Sequence, residues 1–405
     1  MTPARTPART PTGTPTRKSL VVSAIGITQT LSWASTYYLT AVFTDAVSRD
    51  LALSPTWFYG SVSAALLLSG LLGPVAGRLI DRHGGRDLLA ATNLVSAAGL
   101  ALMAVATGPA SLVAAWLVLG VAMGFGLYEA AFATVTRLYG QQARSAITGI
   151  TLFAGFASTV GWPLSLGMID AFGWRGALLG WAALHLLLGL PLNRLLIPRA
   201  PPPPSTAALR PEATAMLGPK TIPWTMIVLA GVFGTTWFVS TSLAAHLPRL
   251  LEAMGATPTA AIAAGALVGP AQVAARIGEF TLLRNAAPLL SARLAAALHP
   301  IGAALLAILG APAAIAFVLL HGAGNGMFTI ARGTLPLALF GPAGYGLRTG
   351  LLAAPARILQ GAAPLLFGLV LDDAGPRAAL LLTGSLMALS LLALLLLRPT
   401  PPQAT

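Results

Sequence analysis

Residues 77–86 read GRLIDRHGGR, and four of the ten are charged: Arg78, Asp81, Arg82 and Arg86. Asp, Glu, Lys and Arg make up only 9% of the chain, so this concentration of charge stands out. An apolar run, WFYGSVSAALLLSGLLGPVAG (57–77), leads into it, and another, LLAATNLVSAAGLALMAVA (88–106), follows. Each is close to the ~20 apolar residues that carry a helix across a bilayer. The stretch therefore reads as a short polar turn between two membrane helices.

The rest of the chain fits that reading. Of its 405 residues 56% are hydrophobic, against about 45–50% in soluble domains, which also carry about 25% charge. The apolar runs are too long and too continuous for a barrel, whose strands alternate in segments of about 10. Helices satisfy their own backbone groups in lipid, so the spans are helices. Twelve are predicted: 19–48, 57–80, 87–107, 110–137, 144–167 and 174–197, then 223–248, 258–283, 288–309, 312–337, 347–371 and 376–397. Residues 1–18, with the repeated unit TPAR, read as a basic disordered tail. The proline-rich segment 198–222 reads as a linker between a first bundle (19–197) and a second (223–397), and 398–405 as a short tail. The fold class is thus an all-α membrane protein of two six-helix bundles.

The bundles resemble each other. DAFGWRGALL (170–179) recurs as DDAGPRAALL (372–381), with Asp170, Gly173, Arg175, Ala177, Leu178 and Leu179 repeated at an offset of 202. Both copies fall between the fifth and sixth helix of a bundle, as a parallel duplication would place them. The positive charge is distributed just as unevenly. Seventeen Lys and Arg lie in segments on the N-terminal side of the membrane, four in the opposite turns (Arg49, Arg175, Arg249 and Arg377) and three within helices. By the positive-inside rule both termini are expected in the cytoplasm, in a bacterial inner membrane. This topology accounts for the net charge of +13, so no nucleic-acid partner is expected. The chain has no cysteine, hence no disulfide or thiolate chemistry. No histidine pair has metal-ligand spacing and no GxxxxGK[ST] phosphate loop occurs, so no metal, no cofactor and no ATP drive are expected. No nucleophile, metal site or acid pair is assembled for a membrane enzyme.

With the turn placed, GRLIDRHGGR resembles the loop signature of the major facilitator superfamily, G-x-x-x-D-R-x-G-R-R. Gly77, Asp81, Arg82, Gly84 and Arg86 match it, and Gly85 replaces a basic residue. The resemblance implies alternating-access transport, with this cluster clamping the two bundles at the cytoplasmic side. The same charges also read simply as topology-setting positives. In the second half Gly278 lies 201 residues after Gly77, but Leu282 replaces the acid, so the clamp is expected mainly on one side. Residues 37–86, and the sequence AAR ending at Arg276, are similar to monocarboxylate and oxalate/formate-type carriers. That resemblance implies that Arg276 meets a substrate carboxylate. The acid that accompanies this arginine in part of that group is Gln272 or absent here. Glycines 149, 155 and 161 before Pro163 are close to the glycine-rich fifth helix of antiporters, with GWP in place of GP.

Ionisable groups inside a span are costly and mark candidate sites. Arg276 needs an acid, a cavity or an anionic ligand, or else it snorkels to the surface. Glu129 lies eight residues before Arg137, and either pairs with a base or carries a proton. Asn325 and Arg332 are seven residues apart on one helix face, and Arg332 gates, snorkels or binds ligand. Arg357 and Gln360 are expected to face a central cavity. His246 and His321 read either as proton-handling groups or as satisfied interhelical histidines. Trp33, Tyr37 and Tyr38 pack the core or line the cavity. Two functions remain. One is a secondary transporter of a small organic anion, monocarboxylate-like and driven by protons or exchange, with Arg276, Arg357, Gln272, Asn325, Tyr37 and Tyr38 at the substrate. The other is a proton-coupled exporter of hydrophobic compounds. In both the partners are substrate, protons and membrane lipid, and the working unit is a monomer.

Overall fold

The computed structural model describes residues 15–200 and 223–397. The tail before residue 15, most of the linker and the C-terminal tail lie outside the described residues. Among the described residues there is no strand. Among the same residues, nine helical stretches are long and apolar enough to cross a membrane. One of these, Pro109–Leu196, has 88 residues. At 1.5 Å per residue it would extend ~130 Å, about four times the ~30 Å apolar core. It folds back instead at Gly140 and Gly173, giving three rods. With the first helix, which turns partway, twelve rods result.

We number them α1 to α12. α1 is Pro15–Ala34 and, after a turn at 35–39, Thr40–Asp50. α2 is Pro55–His83 and α3 Arg86–Ala104. α4 is Pro109–Gly126 and Tyr128–Tyr139, broken at Leu127. α5 is Ala143–Ala154 and the start of Ala157–Leu184; beyond Gly173 that stretch becomes α6, ending with Leu192–Leu196. α7 is Trp224–Ala253, and α8 is Pro258–Gly265 with Val268–Thr281. α9 is Pro288–Leu309, α10 Ala314–Phe340, α11 Tyr345–Asp373 and α12 Gly375–Leu396. The expected unbroken helices 19–48, 110–137, 144–167 and 258–283 are therefore each two pieces.

The turn in GRLIDRHGGR is only two residues long. Gly84 takes φ 81°, a left-handed value that costs a residue with a Cβ about 1–2 kcal/mol. A Cβ on Gly85 would run into the Thr134 side chain of α4, which explains glycine here in place of a basic residue. Gly173 and Gly375, 202 residues apart, both reverse the chain with positive φ (69° and 84°). Gly140 and Gly341, 201 apart, do the same (55° and 73°). The sequence repeat is thus also a repeat of turns.

The halves meet most closely along α2 and α11. Gly77 faces Gly346, and a Cβ on Gly77 would collide with the Gly346 carbonyl. A Cβ on Gly73 would come within 3.5 Å of the Gly350 oxygen. Small residues let the backbones approach, as in other membrane helix pairs. At the same end Phe132 and Ile147 close on Gly333 of α10. At the opposite end the ion pairs Arg175–Asp50 and Arg249–Asp372 join helices within one half. A buried polar network stiffens the first half. Asn193 accepts from Thr28 at 3.0 Å and donates to the Leu89 carbonyl at 3.1 Å. His185 Nδ1 lies 2.9 Å from Asn93 Oδ1, which only accepts, so Nδ1 donates and Nε2 receives the Ser35 hydroxyl at 2.8 Å.

Candidate functional site

Two of the places where polar groups join the halves contain the candidate residues. The first is Asp81. Its Oδ1 accepts from the Gly346 N–H and its Oδ2 from the Leu347 N–H, both at 2.9 Å. These are among the first N–H groups of α11, which lack partners within the helix. The Asp81 carboxylate thus caps a helix of the other half and meets the positive end of its dipole. Arg348 donates instead to the Phe340 carbonyl at 2.9 Å. Arg82 is exposed, and Arg86 donates to Asp87 at 3.0 Å, with Arg194 on the same carboxylate at 2.8 Å. Of the signature's charges, then, Asp81 reaches across the halves.

The second place lies midway along the helices and is centred on three arginines. Arg276, 5% exposed, donates to the Gly326 carbonyl at 3.4 Å, the Thr151 carbonyl at 3.2 Å and Thr329 Oγ1 at 3.3 Å, with Gln272 Oε1 at 3.5 Å. It therefore ties α8 to α10 and, across the halves, to α5. No carboxylate is among these contacts. Arg332 donates to the same Thr329 oxygen at 3.4 Å and lies 4.0 Å above the Trp237 ring. Arg357 lies 4.9 Å from that ring, donates to Gln360 Oε1 at 3.0 Å, and pairs with Glu129 of the other half at 3.5 Å. The break at Leu127 puts Glu129 in the first turn of a helix, where a carboxylate is favoured. Thr329 thus links Arg276 to Arg332, Trp237 lies against both Arg332 and Arg357, and Glu129 pairs with Arg357. Because Arg276 and Arg332 share one hydroxyl, their nearest nitrogens are within roughly 7 Å. At an effective dielectric of ~20 such a pair repels by ~2–3 kcal/mol.

A narrow cavity lies here. It is lined by Tyr128, Glu129 and Phe132 from one half, and by Phe233, Trp237, Arg332 and neighbouring small residues from the other. Trp33 stacks on Trp237 at 6.5 Å and contacts Tyr37 and Tyr38. Tyr37 and Tyr38 lie in the turn that interrupts α1, not at helical spacing. Asn325 holds Thr329 through its backbone carbonyl at 2.9 Å.

The histidines lie away from this centre. His246 Nε2 donates to the Pro364 carbonyl at 2.9 Å. His321 Nδ1 faces His299 Nδ1 at 3.1 Å, so one ring donates to the other. Sequence reasoning passed over Glu279, three residues after Arg276. It is 4% exposed, and its Oε2 has no hydrogen-bond partner. Its unusual depth became visible only in the fold, which sets Ser291 of α9 and Arg144 of α5 beside it. Nearby, Arg144 of α5 donates to the Leu283 carbonyl at 3.3 Å, a further contact between the halves.

Comparison with known proteins gives a consistent answer. Human monocarboxylate transporter 11 is 30% identical over 208 residues, which are 49% of this chain and 43% of that protein. The fold is similar to that of the human organic anion transporter MFSD10 (TM-score 0.73, 17% identity, 93% of this chain and 99% of that one). It is also similar to FucP in the outward conformation (0.75, 16%, 95% and 99%). The proton:xylose symporter XylE aligns with a TM-score of 0.71 at 15% identity, over 93% of this chain and 94% of that one. These low identities speak for the fold alone. The Major Facilitator Superfamily model matches residues 25–320, and the chain, a multi-pass membrane transporter, belongs to that superfamily.

Proposed function

We propose that this transporter carries a small organic anion, monocarboxylate-like, between its two bundles by alternating access coupled to protons or exchange. The observation that carries this reading is the charge balance of the centre: Arg276, Arg332 and Arg357 against Glu129. An anion between Arg276 and Arg332 relieves their repulsion, and a planar guanidinium matches a carboxylate with two parallel hydrogen bonds. The names of the monocarboxylate and organic-anion relatives point the same way. Glu129, paired with Arg357 of the other half, is the group we assign to the proton; a proton on it releases that arginine. Asp81, with Gly77 allowing the approach, holds the halves together at the end we assign to the cytoplasm. We place the chain as a monomer in a bacterial inner membrane, both termini inside. A second reading, export of hydrophobic compounds, draws support from the aromatic and aliphatic cavity wall.

The test is binding of a carboxylate panel to wild type and to the Arg332→Gln, Arg276→Lys and Arg276→Ala variants. Loss of a charge-assisted contact in a desolvated site costs roughly 1.5–3 kcal/mol, about ten- to a hundredfold in affinity. Arg332→Gln is expected to lose that much. Arg276→Lys keeps the charge but cannot serve four acceptors with the same fork, so it falls between wild type and Ala. Unchanged carboxylate affinity in all folded variants would discard the anion reading and leave the exporter.

A further inference from the structure

The break in α4 has a partner in α1. In an unbroken helix the Gly126 carbonyl would accept from the N–H of Ala130, four residues on. Here that N–H donates to the Leu127 carbonyl at 3.0 Å, and the N–H of Ala131 joins it at 3.1 Å. Leu127 itself is extended, with φ −81° and ψ −166°. The Gly126 carbonyl is taken instead by Nε2 of Gln29, at 2.6 Å. A side chain inserted into the i→i−4 ladder is one of the few causes of a sharp kink. Gly124 and Gly126 weaken the helix at the same point. One turn after Gln29, on the same face of α1, the Trp33 ring lies 5.0 Å from that of Tyr128. α1 thus holds the break on both its edges.

Gln29 is 2% exposed, and its Oε1 has no hydrogen-bond partner. A leucine or methionine would fill this place without an orphaned acceptor, so what the amide supplies is the donor. The second bundle offers a control. Its fourth helix, α10, runs unbroken over Ala314–Phe340, and its first, α7, contains neither Asn nor Gln. The repeat therefore lacks the break where it lacks the amide. In α4 the break decides where Glu129 points. An extended residue rises ~3.3 Å in place of 1.5 Å and interrupts the 3.6-residue phase, so side chains beyond Leu127 are redirected. Glu129 then falls in the first turn of a new helix and pairs with Arg357 of α11 at 3.5 Å. Arg332 of α10 also acts on it, and Tyr128 and Tyr345 are the phenols beside it.

We infer that Gln29 is a positioning residue: its amide holds α4 broken and so aims Glu129 across the halves at Arg357. Its bearing on proton coupling rests on the reading of Glu129 given above; its hold on the break does not.

The experiment uses the full chain, which has no cysteine. Ala114→Cys and Gln141→Cys, both at exposed positions and on either side of the break, carry two spin labels roughly 40 Å apart along α4. Gln29→Met keeps the bulk and removes the donor. Electron–electron double resonance should then show the distance distribution shift as Ala130 regains the Gly126 carbonyl. Gln29→Asn, whose donor sits one methylene closer to its own backbone, should fall between, and it takes the place of Met throughout where Met does not fold. An unchanged distribution in the folded variants overturns the inference. A double-mutant cycle of Gln29→Met with Glu129→Gln, read by reversible unfolding in mixed micelles with SDS, separates positioning from simple support of the fold. If Gln29 acts through Glu129, Gln29→Met lowers the folded-to-unfolded ratio at least about threefold less in the Glu129→Gln background than in wild type. Additive effects overturn the positioning role. Lowering the pH should erase the coupling as Glu129 takes its proton. Coupling that persists to the acid limit of the fold upholds the positioning role and moves the proton to another group.

Discussion

Replacing Asp81 by Asn removes charge at the contact between α2 and α11 while leaving the backbone packing in place. In the wild type each carboxylate oxygen receives one backbone N–H of α11 at 2.9 Å. Asn keeps one acceptor and turns an NH2 group toward the second N–H, so one bond is lost and two donors face each other. A charge-assisted hydrogen bond contributes about 1.5–3 kcal/mol. The attraction of a carboxylate to the helix N-terminus adds about 0.3–1 kcal/mol. The closed arrangement at this end should lose ~2–4 kcal/mol relative to the open one, a shift of about 30- to 900-fold in their ratio. The absence of cysteine makes the measurement clean, since a labelled pair reports alone. His83 and Ala343 are exposed on either side of the contact, and His83→Cys with Ala343→Cys carries two spin labels. Electron–electron double resonance then gives the distance distribution. Asp81→Asn should transfer population to longer distances, and Asp81→Lys, which sets a cation against the positive helix end, should do so more completely. Distributions that match wild type in both variants would refute the clamp and leave the charges of GRLIDRHGGR as topology signals only.

Two further outcomes follow from the same contacts. Gly77→Val places branched carbon against the Gly346 backbone, where even a single Cβ does not fit. It should abolish transport and shift the same distances outward, while Gly60→Val, where a Cβ meets nothing within 4 Å, should insert and transport as wild type; equal transport by both would remove the close approach from the cycle. Glu129→Gln removes the partner of Arg357 and the proton we assign there. Accumulation driven by a pH gradient in proteoliposomes should vanish while exchange of substrate persists, and retained accumulation would move the proton to another group, with Glu279 the first to test.

The sequence by itself determined the fold class, because each feature it rests on is local. Apolar length sets a span, a two-glycine turn with charges sets a boundary, and the repeat at 170–179 and 372–381 sets the relation of the halves. All are readable without knowing what touches what. It also singled out Asp81, Glu129, Arg276, Arg332 and Arg357, since charge in so apolar a chain is conspicuous wherever it falls.

Partners were another matter. Asp81 meets residues 265 and 266 positions away, and the donors to it are backbone N–H groups that no side-chain pattern advertises. Arg357 finds Glu129 at a separation of 228. Arg332 read equally well as a gating or snorkelling group or as a ligand group, and nothing in its own helix announced the Trp237 ring of α7 beneath it. Arg276 shares Thr329 with Arg332 because α8 packs on α10. The breaks in α1, α4, α5 and α8 were equally hidden, because hydropathy averages over about twenty residues and interruptions of one to five residues do not register in it. Glu279, in a helix otherwise read for its arginine, became buried only when the neighbouring helices closed over it. Composition fixes which groups are costly in lipid; only the packing of distant helices decides which group relieves each cost.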